Sequence, residues 1–223
     1  ARSSLQPLLK DVLAYKSYGS DLLSYVTDQK VAVGQVMARI WENGKTYPLY
    51  TFSAGSTYLL DAAQFQGQWY YVAGSDKADR INIYKDPLSG IKDPQTARAI
   101  PLIALPDSGA NNLSFSDNSR FIGVQAGQKF AVYDIETQNR YQYDLASPLA
   151  GQMHWMDGHR YIGLSNGSIV VIDYDNTNQQ TLIAANSSDG VFFDKDYNQM
   201  FSFAAVNSGI VLQLTDLRAG TDL

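Results

Sequence analysis

Two histidines, His154 and His159, flank the acid Asp157. Imidazole nitrogens and carboxylates are zinc ligands, so this trio is the first place to look for metal chemistry. The spacing argues against it. His154 falls in a strand-like run, His159 falls in a polar turn, and the chain contains no cysteine to add a thiolate. The trio therefore reads as one polar strand residue and one turn residue, with no metal and no cofactor expected. The stretches Asp173-Tyr174-Asp175-Asn176-Thr177-Asn178 and Asp194-Lys195-Asp196-Tyr197-Asn198 look like pieces of calcium loops. Calcium needs a cage of about six to eight oxygens, usually with a Gly at the sharp turn and a distal Glu. Neither stretch has both, and Asp and Asn in such places cap backbone N–H groups.

Acid–base and nucleophilic chemistry find no better footing. Glycosidic hydrolysis needs two carboxylates facing each other. Asp61 is the one acid that falls on the leading strand of a repeat. No Gly-x-Ser-x-Gly elbow presents a nucleophile, and no Gly-rich loop could cradle a phosphate. No catalytic residue is expected. The fifteen tyrosines are the conspicuous side chains. Tyr70-Tyr71 and Tyr141/Tyr143 read as half-buried packing residues, with a sugar or peptide platform as the alternative.

The elements that must carry these residues are strands. Phe115, Trp155 and Phe193 recur in steps of 40 and 38 residues. Each is followed by a polar turn and by short apolar strands: Phe121-Ile122-Gly123-Val124 and Phe130–Asp134, then Tyr161-Ile162-Gly163-Leu164 and Ile169–Asp173, then Met200–Phe203 and Ile210–Leu214. That period suits a four-stranded antiparallel unit too thin to bury its own apolar faces, so the units must stack. Phe115, Trp155 and Phe193 are expected at equivalent buried positions, with Phe121, Tyr161 and Met200 as the next ring outward.

Two looser copies precede these three. The first has strands at about 12–18, 22–27, 36–41 and 46–52, with Asn43-Gly44 marking a tight hairpin. The second runs from about Tyr58 to Ala104. It has an insertion from Lys85 to Ala97, read as a loop or a single helical turn because Pro87 and Pro94 break ladders, and an outer strand at 98–103. The units span roughly 12–52, 58–104, 112–145, 152–184 and 190–214 of a single domain over 1–223. The last lacks a fourth strand, whereas residues 4–9 have no unit of their own. The expected architecture is an all-β, five-bladed propeller in which strand 4–9 completes the last blade and closes the ring. The alternatives are a helix at the N-terminus and an open arc of a larger ring.

The copies resemble WD40-like or YVTN-like β-propeller repeats of bacterial proteins. Tyr133-Asp134 and Ile172-Asp173 stand where the Trp-Asp dipeptide would, and Gly158-His159 lies inside a turn. The resemblance implies a propeller and leaves function open, since such rings serve as scaffolds, receptors and enzymes. Some five-bladed propellers are glycosidases with an Arg-Asp-Pro motif. Lys85-Asp86-Pro87 and Lys92-Asp93-Pro94 are the nearest counterparts, with Lys in place of Arg.

Composition narrows the partners. The net charge is −5, which gives no general attraction to nucleic acid or anionic lipid. No apolar run is long enough to span a bilayer. The acids are Asp throughout except Glu42 and Glu136, as suits a turn-rich β chain. The expectation is a non-catalytic binding or scaffold module for a protein, peptide or glycan. Its rim loops would supply contacts through Pro106, Asp107, Ser108, Pro148, Leu149, Asn186, Ser188 and Asp189. A glycoside hydrolase or lyase using the axial cleft is the alternative. The lack of cysteine, the polar turns and the start at Ala1 fit an extracytoplasmic place, secreted or in the cell envelope, with room for a tether outside these residues.

Overall fold

The computed structural model describes residues 7–19, 21–95, 98–106, 109–185, 191–207 and 209–217. They form five antiparallel sheets in a propeller-like stack. The first contains β1 (Val12–Tyr18), β2 (Leu22–Thr27), β3 (Gln35–Glu42) and β4 (Lys45–Ser53). The second contains β5 (Tyr58–Phe65), β6 (Gln68–Ser75), β7 (Arg80–Lys85) and β8 (Ile103–Pro106), with helix α1 (Pro87–Lys92) between the last two. The third contains β9 (Asn112–Phe115), β10 (Phe121–Ala126), β11 (Lys129–Asp134) and β12 (Arg140–Asp144). The fourth contains β13 (His154–Trp155), β14 (Arg160–Ser165), β15 (Ser168–Asp173) and β16 (Gln180–Ala184). The fifth has three strands among the described residues, β17 (Phe192–Phe193), β18 (Gln199–Val206) and β19 (Gly209–Asp216). Strand order follows chain order within every sheet.

Turn chemistry sets this pattern. Asn43 and Gly44 both take positive φ, 48° and 81°, as do Asn166 and Gly167 at 49° and 71°. Such turns match the right-handed twist of the strands they join. The sheets stack through four apolar layers, each shared by two neighbours. Val26, Ile40 and Tyr71 lie between the first and second sheets, and Val72, Ile83 and Ile122 between the second and third. Phe121, Tyr161 and Ile172 lie between the third and fourth, and Ile162, Val171 and Met200 between the fourth and fifth. The leading strands β1, β5 and β9 lie side by side.

At the third seam one backbone position is vacant by design of the fit. A Cβ on Gly123 would lie 1.7 Å from the Tyr161 hydroxyl oxygen, so the ring of β14 occupies space that any other residue on β10 would fill.

Three expectations are corrected. Phe115, Trp155 and Phe193 do sit at equivalent strand ends, each packed toward the preceding sheet, but they are half-buried rather than buried. Phe121 is not the counterpart of Tyr161. Phe115 pairs with Ile122, Trp155 with Tyr161 and Phe193 with Met200. The turn before β10 is one residue longer than that before β14, and a one-residue offset in a strand reverses the face. Ile122 therefore packs toward the second sheet while Phe121 packs toward the fourth. The outer strand of the second sheet starts at Ile103, not at Arg98. Pro101 has no N–H for the ladder, and the first bond back to β7 comes from Leu102 N to Ile83 O.

The insertion after β7 does contain a short helix, α1. Of the segment expected to close the ring, residues 4–6 lie outside the described residues. Residues 7–9 are described without strand pairing, and Leu8 is exposed. No sheet is closed into a barrel among the described residues.

Candidate functional site

The His–Asp–His cluster is a turn. Asp157 Oδ1 accepts hydrogen bonds from the backbone N–H groups of His159 and Arg160, each at 2.8 Å, and its Oδ2 accepts from Arg160 Nε at 2.7 Å. Burial pushes its pKa up, but these bonds outweigh it and hold the carboxyl below its ordinary value. His159 Nδ1 stands 3.4 Å from Asp157 Oδ1. His154 is exposed on β13, on the wall of a cleft of about 550 Å³ that also has Asp117, Trp155, Phe192 and Tyr197. No group of three or more acids and histidines placed to hold a metal ion occurs among the described residues.

The other acids serve the backbone in the same manner. Asp134, fully buried, accepts from Arg120 Nε (3.0 Å), Arg120 Nη2 (2.6 Å), Glu136 N (2.9 Å) and Thr137 Oγ1 (2.8 Å). Burial raises its pKa, and the bonds from Arg120 and Thr137 overcome that and lower it. Asp173 accepts from Asn178 Nδ2 at 2.6 Å, and Asp194 from Gln199 N at 2.8 Å. These are the stretches that look like calcium loops, and their acids point into their own turns. Asp61 is a tie between leading strands. Its Oδ1 accepts from Ala62 N, its Oδ2 from Phe115 N on β9 at 3.1 Å, and Lys16 Nζ of β1 lies 3.4 Å away.

Of the expected rim residues, Pro106, Pro148 and Leu149 are described. Asp107, Ser108, Asn186, Ser188 and Asp189 lie outside the described residues. Pro106 ends β8 at a groove of about 430 Å³ with Asp79, Lys129 and Asp144. Pro148 is held by its carbonyl, which accepts from Ser165 Oγ at 2.8 Å. Leu149 bridges to Ser165 and packs into the layer between the third and fourth sheets. Pro148 and Leu149 thus meet at Ser165, whereas neither lines the groove at Pro106.

A larger pocket than the groove at Pro106 lies on the opposite rim, where the first and second strands of each sheet, and the third and fourth, are joined. It holds about 730 Å³ between the first two sheets. Tyr18 and Asp21 come from the β1–β2 turn, Glu42 from the β3–β4 turn, Trp69 and Tyr71 from β6, and Asp86 from the residue before α1. Tyr18 meets Trp69 edge to face, with centroids 4.6 Å apart, and Trp69 lies 6.0 Å from Tyr71. Asp86 has φ 42°, a left-handed conformation that Asp tolerates better than most residues. Its Oδ1 accepts from Trp69 N at 2.8 Å, and its own N donates to Trp69 O at 2.8 Å. Lys92 of α1 pairs with the pocket residue Glu42 at 2.5 Å and stands 5.0 Å over the Tyr47 ring. Tyr71 is buried, not half-buried as expected, and its hydroxyl has no hydrogen-bond partner. Burial, then the nearby charges of Glu42 and Asp86, push its pKa well up.

The sequence reading missed this pocket. Its residues come from four stretches between positions 18 and 89. The one signal available was an acid beside each turn: Asp21, Glu42 and Asp86.

No family model and no curated protein matches the sequence. Solved structures do match in fold. The chain is similar to "Kluyveromyces lactis Hsv2 complete loop 6CD", with 12% identity and a TM-score of 0.56, over 93% of this chain and 62% of that one. It is similar to "KlHsv2 with loop 6CD replaced by a Gly-Ser linker", with 12% identity and a TM-score of 0.57, over 93% and 65%. A chain described as "Crystal Structure of Mitotic Checkpoint Complex" matches at 12% identity and a TM-score of 0.49, over 92% and 61%. The chain spans less than two thirds of the length of these proteins. The resemblance is distant and concerns a propeller-like fold, not a particular repeat family.

Proposed function

We propose that the chain is a non-catalytic binding or scaffold module of the bacterial WD40-like or YVTN-like type, recognising a protein, peptide or glycan through one rim of its blades. The observation that carries this reading is the aromatic, acid-lined pocket at Tyr18, Trp69 and Tyr71. It is preformed between two packed sheets, as binding sites on rigid scaffolds commonly are. Asp61, Asp134 and Asp157, the buried acids that an enzyme could recruit, are instead bound to backbone N–H groups and cations that the fold itself supplies. The use of that rim, in place of the one bearing Pro106, Pro148 and Leu149, follows from where the pocket lies.

The test is saturable binding of the whole chain to peptide and glycan arrays, beside turnover assays on glycosides and polyuronates. Binding without turnover supports the reading. Turnover that survives purification and is lost on Asp61→Asn would replace it with the hydrolase or lyase alternative at the axial cleft. An extracytoplasmic place is part of the proposal, supported by the lack of cysteine and the polar turns. Fractionation of source cells that finds the protein in the cytoplasm refutes it.

A further inference from the structure

The pocket between the first two sheets has a chemical bias. Its free polar atoms are mostly acceptors. Asp21 lines it with no Lys or Arg paired to it among the described residues, and Asp86 presents a second carboxylate oxygen beyond the one held by Trp69 N. Glu42 is a third acid, shared with Lys92 on the exposed side. Tyr71, with 1% of its surface exposed, lines the same space, and its unpartnered hydroxyl is buried within reach of the charges of Glu42 and Asp86. The walls are the rings of Tyr18, Trp69 and Tyr71.

An unpartnered buried hydroxyl costs free energy unless a ligand or water completes it. An anion would meet the acids and be repelled. A ligand head made of N–H donors with positive charge would satisfy every one of these groups together: the carboxylates by charge, the phenol oxygen by accepting a hydrogen bond, and the rings by cation–π attraction.

We infer that this pocket receives the ammonium or guanidinium end of a Lys or Arg side chain from a peptide partner. The inference rests on the binding-module reading and gives it a ligand class. The peptide would lie across the rim formed by the β1–β2 and β3–β4 turns and insert one side chain. Trp69 would stack on the cationic head, Asp21 and Asp86 would accept its N–H groups, and Tyr71 would close the far end. In this arrangement Lys92 acts as a latch, since its bond to Glu42 keeps α1 beside the pocket mouth.

The probes are acetylated and amidated Gly-Arg-Gly and Gly-Lys-Gly, matched with Gly-citrulline-Gly and the Nε-acetyl-lysine peptide. The readout is the indole N–H resonance of Trp69, assigned with Trp69→Phe. The cationic peptides should shift it saturably, weaken as salt rises, and bind roughly tenfold more tightly than their neutral matches. Asp21→Asn with Asp86→Asn should reduce affinity by roughly tenfold or more at an unchanged melting temperature, since Asn keeps the acceptor for Trp69 N–H and tolerates the left-handed backbone. Equal shifts by charged and neutral peptides overturn the inference, as does a neutral chitotriose that shifts Trp69 while the cations do not. A peptide from the arrays that binds equally well to the double variant also overturns it, yet leaves the binding-module reading standing. Failure of every array would instead end that reading.

Discussion

The third strands of the third and fifth sheets are both rich in apolar residues and lead opposite lives. Phe130-Ala131-Val132-Tyr133 is buried on both faces, whereas Ile210, Val211, Leu212 and Leu214 are exposed, Ile210 by 73% and Leu212 by 61%. The difference is in what stands beside them. β11 has β12 on its outer edge and packed sheets on both faces. β19 has no partner beyond β18 among the described residues. Register puts Phe192, Phe201, Phe203, Leu212 and Leu214 on one face of the fifth sheet, turned away from the fourth. In every interior sheet the corresponding face is the seam with the next sheet. Apolar pattern makes a strand, but neighbours make it a core.

The largest effect that would sharpen this contrast is a pair of truncations. Trp155→Ala removes a ring stacked 3.8 Å from Tyr161 and an indole N–H bond to Ser114 O, and should cost about 3–5 kcal/mol in denaturant unfolding. Phe192→Ala, at the neighbouring register position of the fifth sheet, should change stability by no more than about 0.5 kcal/mol. Equal losses would mean that the fifth sheet has a hidden neighbour.

Next are the acids that end the third strands. Asp134→Asn should cost about 2–3 kcal/mol, somewhat below the ~3–5 of a fully buried pair because Arg120 retains Glu136 and solvent. Asp134 has a depressed folded-state pKa. Its stabilisation is therefore full above the ordinary carboxylate range, roughly pH 5, and is lost as pH falls through the lowered value. Asp134→Asn should flatten that part of the acid limb in melts at stepped pH. Asp216 ends β19 in register with Gln199 and, among the described residues, accepts a side-chain hydrogen bond from that residue alone, at 3.2 Å. Asp216→Asn should change stability by no more than about 0.5 kcal/mol, and a loss matching that of Asp134→Asn would break the comparison.

A smaller effect, of opposite sign at the two places, concerns hydroxyls. Tyr161 is buried with its hydroxyl unpartnered, so Tyr161→Phe should stabilise by about 1 kcal/mol. The Tyr197 hydroxyl donates to Met156 O at 3.1 Å, and Tyr197→Phe should destabilise by about the same amount. Thermal melts of the two variants give the signs. The smallest change in stability is expected for Leu212→Lys, within about 0.5 kcal/mol, with a fall in self-association by light scattering, because lysine on an exposed edge discourages strand pairing. Unchanged association would show that this face is not adhesive.

Much of the fold was legible because its signals are local. Asn-Gly turns with positive φ and strand-length apolar runs place the ends of β1 to β4 within a residue. What could not be read were quantities that depend on a count or on distance. One extra residue before Phe121 turned that ring to the other side of its sheet, and a polar turn tolerates such an insertion without any mark in its composition. The outer strand after α1 was misplaced because residues 98–103 have the letters of a strand, yet Pro101 among them has no N–H to give the ladder. The pocket at Trp69 was invisible for a different reason. Tyr18, Glu42 and Asp86 meet only because two sheets pack, and no spacing along the chain encodes that meeting.

The vacancy at Gly123 has a consequence for how such a chain can be built and rebuilt. Repeats that arise by copying begin as interchangeable parts. Here the ring of Tyr161 fills the space left by the third sheet's Gly123, and Asn118 crowds Gly158 across the same seam. The third unit has thus become keyed to the one that follows it. Shuffling the order of the repeats, or duplicating one beside itself, would set side chains against backbone where no room was left. The order of these two units is a heritable property of their seam, fixed by residues too small to be noticed in either of them.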